Sequence, residues 1–266
     1  GNISLAGNIV TSGANNGSGA GATAGQVDLT ATGGTIAVKD ITASGGTGTT
    51  TAGDAAAINL TTTGTTKDIT LNGTLTALKG AAGTGGADGT VTLIATGAIA
   101  DGNGTTNNVS AGTLAIQSAT GVAPSGDTRL ETTVTNLDIQ NSTSGSIDVL
   151  NSQALSLTRL TQAGSGTVTV GTSAGGITIT SGGSGVSSGS GQLSFNPTTS
   201  MDISKSIVTD GGKVVVSGGT GDITSASGAN ITTTSSTVGT SGAVVLSTTG
   251  NISLAGNIVT SGANNG

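Results

Sequence analysis

Apolar residues two positions apart recur along the whole chain, separated by small or polar residues and bounded by glycine. Gly25-Gln26-Val27-Asp28-Leu29-Thr30-Ala31-Thr32-Gly33 follows the pattern G-x-V-x-L-x-[AT]-T-G, which returns at Gly89–Gly97 and again at Gly242–Gly250. A period of two places Val27 and Leu29 on one face of a strand, and glycine at each end permits a sharp bend. The same alternation continues in Leu114 and Ile116, Leu137 and Ile139, Ile147 and Val149, and Leu155 and Leu157. It extends through Val168 and Val170, Ile177 and Ile179, Leu193 and Phe195, Met201 and Ile203, and Val214 and Val216. The expected chain is all-β.

The spacing of the copies predicts how the strands are arranged. Gly25 and Gly89 lie 64 residues apart, with a weaker copy, Ile58-Asn59-Leu60-Thr61, near the middle, so one turn of structure takes about 32 residues. Each turn holds more than one strand: Val27 and Leu29 are followed by Ile36 and Val38, then Ile41, and Val244 and Leu246 by Ile252 and Leu254, then Ile258. Two to three short strands per turn, bent at glycine and recurring at a fixed period, describe the coils of a parallel β-helix. An antiparallel sandwich would show paired hairpins. Parallel crossovers favour one hand, so the expected fold is a right-handed parallel β-helix, or β-solenoid. Beyond Gly97 the turns shorten. Four glycine-rich stretches, 12–25, 43–54, 80–89 and 182–191, carry few large apolar residues and read as surface loops bulging from the stack.

A much longer repeat encloses the short one. Residues 1–17 return without a mismatch at 250–266. Residues 1–249 therefore form one full tandem repeat of a continuous solenoid, and 250–266 begin the next. Gly25 carried forward by 249 residues falls 32 beyond Gly242, so the phase of the short repeat runs through the boundary. The expectation is roughly nine coils per 249-residue repeat, about 43 Å of axial length at a strand spacing of ~4.8 Å. The chain opens at Gly1 without methionine or leader, so it is expected to be a segment of a longer polypeptide.

Composition narrows the functional classes. Charged residues are 8% of the chain and the net charge is −6. Nucleic-acid binding needs clustered Lys and Arg, so no nucleic-acid partner is expected. No apolar run reaches the ~18 residues of a membrane span. There is no His, Cys, Trp or Tyr, one Phe and one Met, and Gly numbers 49. Large side chains are too scarce to fill a thick globular core, and a thin core of Val, Ile and Leu suits the chain better. The alternation also sets it apart from a flexible Gly/Ser linker.

Without His or Cys, no Ser-His or Cys-His nucleophile exists. Ser204-Lys205-Ser206 is an ordinary adjacency, and Glu131, Arg129 and Arg159 are too few for a polysaccharide-cleaving groove. Stacked Asp residues are the remaining route to a carboxylate pair. Calcium-binding solenoid repeats read G-G-x-G-x-D. Gly218-Gly219-Thr220-Gly221-Asp222-Ile223 and Gly85-Gly86-Ala87-Asp88-Gly89 approach that pattern imperfectly, without tandem recurrence, and turn Asp residues more often bond local backbone. Thr61-Thr62-Thr63 and Thr232-Thr233-Thr234 suggest a water-ordering array only in isolation. Asn59-Leu60-Thr61 and Asn230-Ile231-Thr232 are chance-level glycosylation triplets in so Ser- and Thr-rich a chain. No catalytic, cofactor-binding or metal-binding residue is assigned, no cofactor is expected, and the chain is not expected to be an enzyme.

Residues 1–14 (Gly-Asn-Ile-Ser-Leu-Ala-Gly-Asn-Ile-Val-Thr-Ser-Gly-Ala) and 25–38 (Gly-Gln-Val-Asp-Leu-Thr-Ala-Thr-Gly-Gly-Thr-Ile-Ala-Val) resemble the repeat regions of filamentous-haemagglutinin-like bacterial exoproteins. The resemblance implies a right-handed β-helix shaft, a place on the cell surface and secretion through an outer-membrane partner. The expected role is a structural repeat of a long extracellular fibre: surface filament, adhesin shaft, or biofilm or sheath matrix. Its partner would be itself, through adjacent repeats and lateral bundling. The alternative is a binding module in which glycine-rich loops or one solenoid face recognise glycans, surfaces, neighbouring cells or neighbouring fibres.

Overall fold

The computed structural model describes residues 1–123, 129–236 and 241–262. These residues contain strands and no helix. The ladders between successive coils are parallel: Ile3 lies on Ile36, Val27 on Ile58 and Ile147 on Val168. The chain divides into two compact units, residues 1–118 with 129–135, and residues 119–123 with 136–262.

The first unit contains β1 (Ile3–Ser4), β2 (Ile9–Val10), β3 (Val27–Thr32), β4 (Ile36–Val38), β5 (Ile41–Thr42) and β6 (Ile58–Thr63). It continues with β7 (Ile69–Leu71), β8 (Leu75–Ala77), β9 (Thr90–Ile94), β10 (Ile99–Asp101) and β11 (Val109–Ser118). Its strands fall into three columns. β3, β6, β9 and the second half of β11 form one. β1, β4, β7 and β10 form the next, and β2, β5, β8 and the first half of β11 the third. One coil therefore takes three strands, the upper end of the expected two to three. Ile3, Ile36, Ile69 and Ile99 stand in register at intervals of 33, 33 and 30 residues, close to the spacing read from the glycine-bounded motif.

β12 (Leu130–Asn141) contributes to both units. The second unit continues with β13 (Ile147–Asn151), β14 (Leu155–Gln162), β15 (Val168–Thr172), β16 (Ile177–Ile179), β17 (Gly185–Ser188), β18 (Leu193–Asn196) and β19 (Met201–Ile203). It ends with β20 (Ile207–Thr209), β21 (Val214–Ser217), β22 (Ile223–Ser225), β23 (Ile231–Thr232), β24 (Val244–Ser247), β25 (Ile252–Leu254) and β26 (Ile258–Val259). Here too there are three columns: β13–β15–β18–β21–β24, β14–β16–β19–β22–β25, and β12–β14–β17–β20–β23–β26. Leu155, Ile177, Met201, Ile223 and Ile252 share a column at intervals of 22, 24, 22 and 29 residues, so the coils are shorter, as expected past Gly97. The protein is thus a parallel β-solenoid.

Each unit's core is a set of columns one or two side chains wide. Leu29, Leu60, Leu93 and Ile116 align in the first. Val149, Val170, Phe195, Val216 and Leu246 align in the second. The lone Phe195 and lone Met201 are fully buried on adjacent strands of one coil. Parallel neighbours saturate each interior strand's backbone groups from both sides, so a thin core suffices where a globular domain would need a thick one.

One expectation about the glycine-rich stretches is corrected. Residues 182–191 do not form a surface loop: Gly185–Ser188 is β17, with Val186 buried and paired to Ile207. With one large apolar residue in the stretch there was no alternation to read, because Ser188 fills the other inward position beside Val186. The stretches 12–25, 43–54 and 80–89 hold no strand, in line with the loops expected, and they are ordered by backbone bonds. Their extended arms stack coil on coil, with Gly13 N–H donating to Ser44 O, Asn16 N–H to Thr47 O and Gly45 N–H to Leu78 O, at 2.8–2.9 Å. They also bond sideways, through Gly46 N–H to Ala22 O (2.8 Å), Gly53 N–H to Gly46 O and Gly80 N–H to Gly53 O (both 2.9 Å).

Backbone approaches so closely that a Cβ on Gly46 would lie 2.0 Å from Ala14 O, and one on Gly53 2.0 Å from Ala22 O. Glycine is required there for clearance, and composition alone does not distinguish that from flexibility.

Gly46→Ala is expected to lower unfolding free energy by about 1–3 kcal/mol, the usual cost of forcing an atom into a filled site. Gly17→Ala, where a Cβ meets open space, is expected to change it by less than about 0.5 kcal/mol. Phe195→Ala should cost about 3–5 kcal/mol through the cavity it leaves. Denaturant titration of the 266-residue chain checks all three.

Candidate functional site

The acidic and amide side chains considered for chemistry are largely occupied at the corners of the coils. Residues immediately before the second and third strands of a coil are often Asn, Asp or Ser, and their side-chain oxygens accept a backbone N–H from the coil one step along. Asn2 Oδ1 accepts from Thr35 (3.0 Å), Asp68 Oδ1 from Ala98 (2.8 Å) and Asp222 Oδ1 from Asn251 (2.8 Å). At the other corner, Asp40 Oδ1 accepts from Thr74, Ser206 Oγ from Asn230 and Asn230 Oδ1 from Asn257, at 2.9–3.1 Å. These bonds satisfy N–H groups where the strand ladder is interrupted by a bend. The partner lies 24–34 residues away, so at these corners the local backbone bond expected of turn Asp residues gives way to one between coils, whereas Asp101 does accept from Asn103 N–H two residues on (3.0 Å). The dipeptide Asn/Asp-Ile, seen at Asn2-Ile3, Asp40-Ile41, Asp68-Ile69, Asp222-Ile223 and Asn230-Ile231, was the available signal.

This accounts for both calcium-like stretches. Asp222 holds Asn251 as above, and Asp88 Oδ1 accepts from Lys79 N–H at 2.8 Å. Among the described residues no group of three or more potential acidic ligands gathers in one place.

The Ser204-Lys205-Ser206 run borders a hollow of about 330 Å³ lined also by Ser181, Ser227 and Gly228. Ser206 Oγ is engaged by Asn230 N–H and donates to Gly228 O at 3.4 Å, and Ser204 Oγ donates to Asp202 at 3.4 Å. The Ser206 hydroxyl serves coil-to-coil structure, and the Ser204 hydroxyl bonds within its own coil.

Arg159 forms a two-pronged pair with Asp138, Nε to Oδ1 and Nη2 to Oδ2, each 2.8 Å, between registered neighbours on β12 and β14. Glu131 sits at a polar corner where buried Asn108 accepts its N–H (2.9 Å) and donates to Asp101 (2.8 Å) and Asn103 (2.7 Å). Across the strand ladders Asp28 lies opposite Asn59, Asp148 opposite Thr169 and Asp202 opposite Thr178. With Asp138 opposite Arg159, none of these four carboxylates stacks on another across those pairings.

Thr62 and Thr233 point inward and are buried, donating to Lys67 O and Gly242 O. The outward column beside Thr61 runs Thr30, Thr61, Ile94, a mixture rather than a threonine array. Asn59 donates to Asp28 (2.7 Å).

The most unusual surface is at the last coil. Ile252 and Ile258 are 48% and 46% exposed, although their register partners Ile223 and Ile231 are buried. Val244 and Leu246 are half-buried, and Val245 and Val259 lie open beside them. In the first unit Ile3 and Ile9 are half-buried and Val10 is open.

The fold is that of a parallel β-solenoid, whose coils stack by parallel strand pairing. Compared with family models, with curated proteins and with solved structures, the chain finds no match.

Two carboxyls are held below the ordinary carboxylate value: Asp28 by the amides of Asn59 and then Gln26, and Asp210 by the backbone N–H and then the hydroxyl of Ser236. A depressed folded-state value means that the stabilisation is present at neutral pH and is lost as pH falls below the unfolded value of about 3.9 and through the lower folded one. Melting temperature is therefore expected to hold level from neutral pH to about 5 and to fall below about 4. The fall should be shallower in Asp28→Asn with Asp210→Asn. Separately, Asn230→Ala, which removes the acceptor for Asn257 N–H, should cost about 1 kcal/mol, read by denaturant titration.

Proposed function

We propose that this chain is the structural repeat of a long extracellular bacterial fibre, built by end-to-end stacking of solenoid coils. The observation that carries this reading is the identity of residues 250–266 with 1–17. Residues 252 and 258 repeat Ile3 and Ile9, which lie on Ile36 and Ile41 in this structure. The last coil thus carries the same residues that the second coil already accepts, and a following repeat would continue the ladder in phase. Stability in such an array grows with each added interface. A cysteine-free chain relies for that stability on backbone pairing and thin apolar columns.

The resemblance of residues 1–14 and 25–38 to exoprotein shafts agrees with this reading and supports a place on the cell surface. The corner Asp and Asn residues, committed to neighbouring coils, give no support to a catalytic role. The role is mechanical: a stiff, protease-resistant shaft used in adhesion, cell linkage or a matrix. Chains carrying one, two and three 249-residue repeats should appear under the electron microscope as rods that lengthen by a constant step of about 43 Å per repeat. Particles that stay compact as repeats are added would overturn the reading.

A further inference from the structure

One corner of the second unit changes length from coil to coil. Five residues, 180–184, connect β16 to β17. Three, 204–206, connect β19 to β20, and five, 226–230, connect β22 to β23. β16, β19 and β22 share one column and β17, β20 and β23 the next, so these corners fall on successive coils. Both long corners close as hydrogen-bonded turns: Gly183 N–H donates to Thr180 O and Ala229 N–H to Ala226 O, each at 3.1 Å. Each turn carries Ser-Gly at its centre, Ser181-Gly182 and Ser227-Gly228. Gly228 has a φ of +78°, which glycine supplies without strain.

The two turns stand on either side of the short corner, two strand spacings or about 9.6 Å apart. The short corner is the floor between them. This is the hollow of about 330 Å³ described above, at the small end of the roughly 300–1,000 Å³ usual for ligand pockets. Its shape follows from corner length alone, since a three-residue corner is recessed between two of five.

Lys205 stands on that floor. A Cβ built on Gly185 would come 3.0 Å from Lys205 Cγ, so the lysine stem lies over that glycine. Among the described residues the Lys205 ammonium has no ion-pair or hydrogen-bond partner, and neither do the hydroxyls of Ser181 and Ser227. The backbone N–H groups of Lys205, Ser227 and Gly228 likewise bond no described residue. The neighbouring carboxylate, Asp202, is engaged: its Oδ1 accepts from Ser204 (3.4 Å) and Thr224 (3.3 Å).

The groups left open are thus one cation, several N–H donors, and two hydroxyls that both donate and accept. Their complement carries one negative charge for the ammonium and hydroxyls for the serines. A densely sulfated or phosphorylated chain would bring many charges to a single cation, beside Asp202 and in a chain of net charge −6, and like-charge juxtaposition is costly. A sugar ring with one carboxylate matches the set, and its bond to the ammonium is charge-assisted.

We infer that this recess binds a carboxylate-bearing sugar, with Lys205 taking the carboxylate and Ser181 and Ser227 the ring hydroxyls. The inference goes beyond the fibre reading and does not rest on it, because the recess is formed by three paired coils within the second unit.

Amide ¹H–¹⁵N spectra of the 266-residue chain, titrated with a galacturonic acid trimer, test it. The expected result is saturable shifts at Lys205, Ser227 and Gly228, and none with a neutral glucose trimer. Lys205→Gln should weaken binding about tenfold through loss of the charge-assisted bond, and Ser227→Ala about threefold through loss of one neutral bond. Lys213→Gln, outside the recess, should leave binding unchanged. These side chains are exposed, and an unchanged melting temperature verifies that each variant is folded.

Absence of shifts at the three amides, equal shifts with the neutral trimer, or undiminished binding by Lys205→Gln would each overturn the site. Tighter binding of inorganic sulfate or of a sulfated glucose trimer would show that charge alone decides, and would overturn the sugar acid as ligand. None of these outcomes touches the fibre reading, which fails separately if tandem chains do not lengthen by a constant step.

Discussion

Every feature of this protein depends on one constraint: each coil's backbone N–H and C=O groups must find partners in the coils on either side. Parallel strands at ~4.8 Å spacing meet that requirement along the three columns. Between columns the chain has to bend, and there the ladder is interrupted. Asn2, Asp40, Asp68, Asp222 and Asn230 stand at those bends and offer side-chain oxygens to N–H groups of the neighbouring coil. The same requirement shapes the glycine-rich arms of the first unit, where backbone is bonded to backbone in two directions and side chains are excluded for lack of room.

Satisfying the backbone between coils makes the interior thin. A column such as Ile36–Ile69–Ile99 buries like against like, so the chain manages with 33% apolar residues and a single aromatic one. The polar side chains that composition made available for chemistry are used as ladder parts. Asp138 pairs with Arg159 across one rung, and buried Asn141 donates to Gln162 (2.6 Å) and accepts from Gly121 N–H (3.0 Å). A side chain held this way is a poor acid, base or ligand, since leaving its position would leave a buried group unpaired.

The same constraint bears on the last described coil, where Ile252 and Ile258 remain half open while their register partners Ile223 and Ile231 are closed. Repetition answers this without new surface chemistry, because the residues that cover an end are those that already cover an equivalent interior edge. The proposed fibre follows from that economy of parts.

The alternation of Val27 with Leu29, the return of that motif at Gly89 and Gly242, and the identity of 1–17 with 250–266 were enough to determine parallel coils, their length in the first unit and their shortening beyond Gly97. These are local or periodic signals, and solenoid contacts repeat at a period, so they could be read directly. Other features were decided only in three dimensions. β17 lacks alternation and is a strand because β14 and β20 pair with it. The glycines at 46 and 53 are packing positions because another coil's carbonyl lies against them. The Asp and Asn corner residues bond a partner 27–34 residues away. In each case the deciding contact comes from a neighbouring coil, and only the stacked structure brings that neighbour within hydrogen-bonding reach.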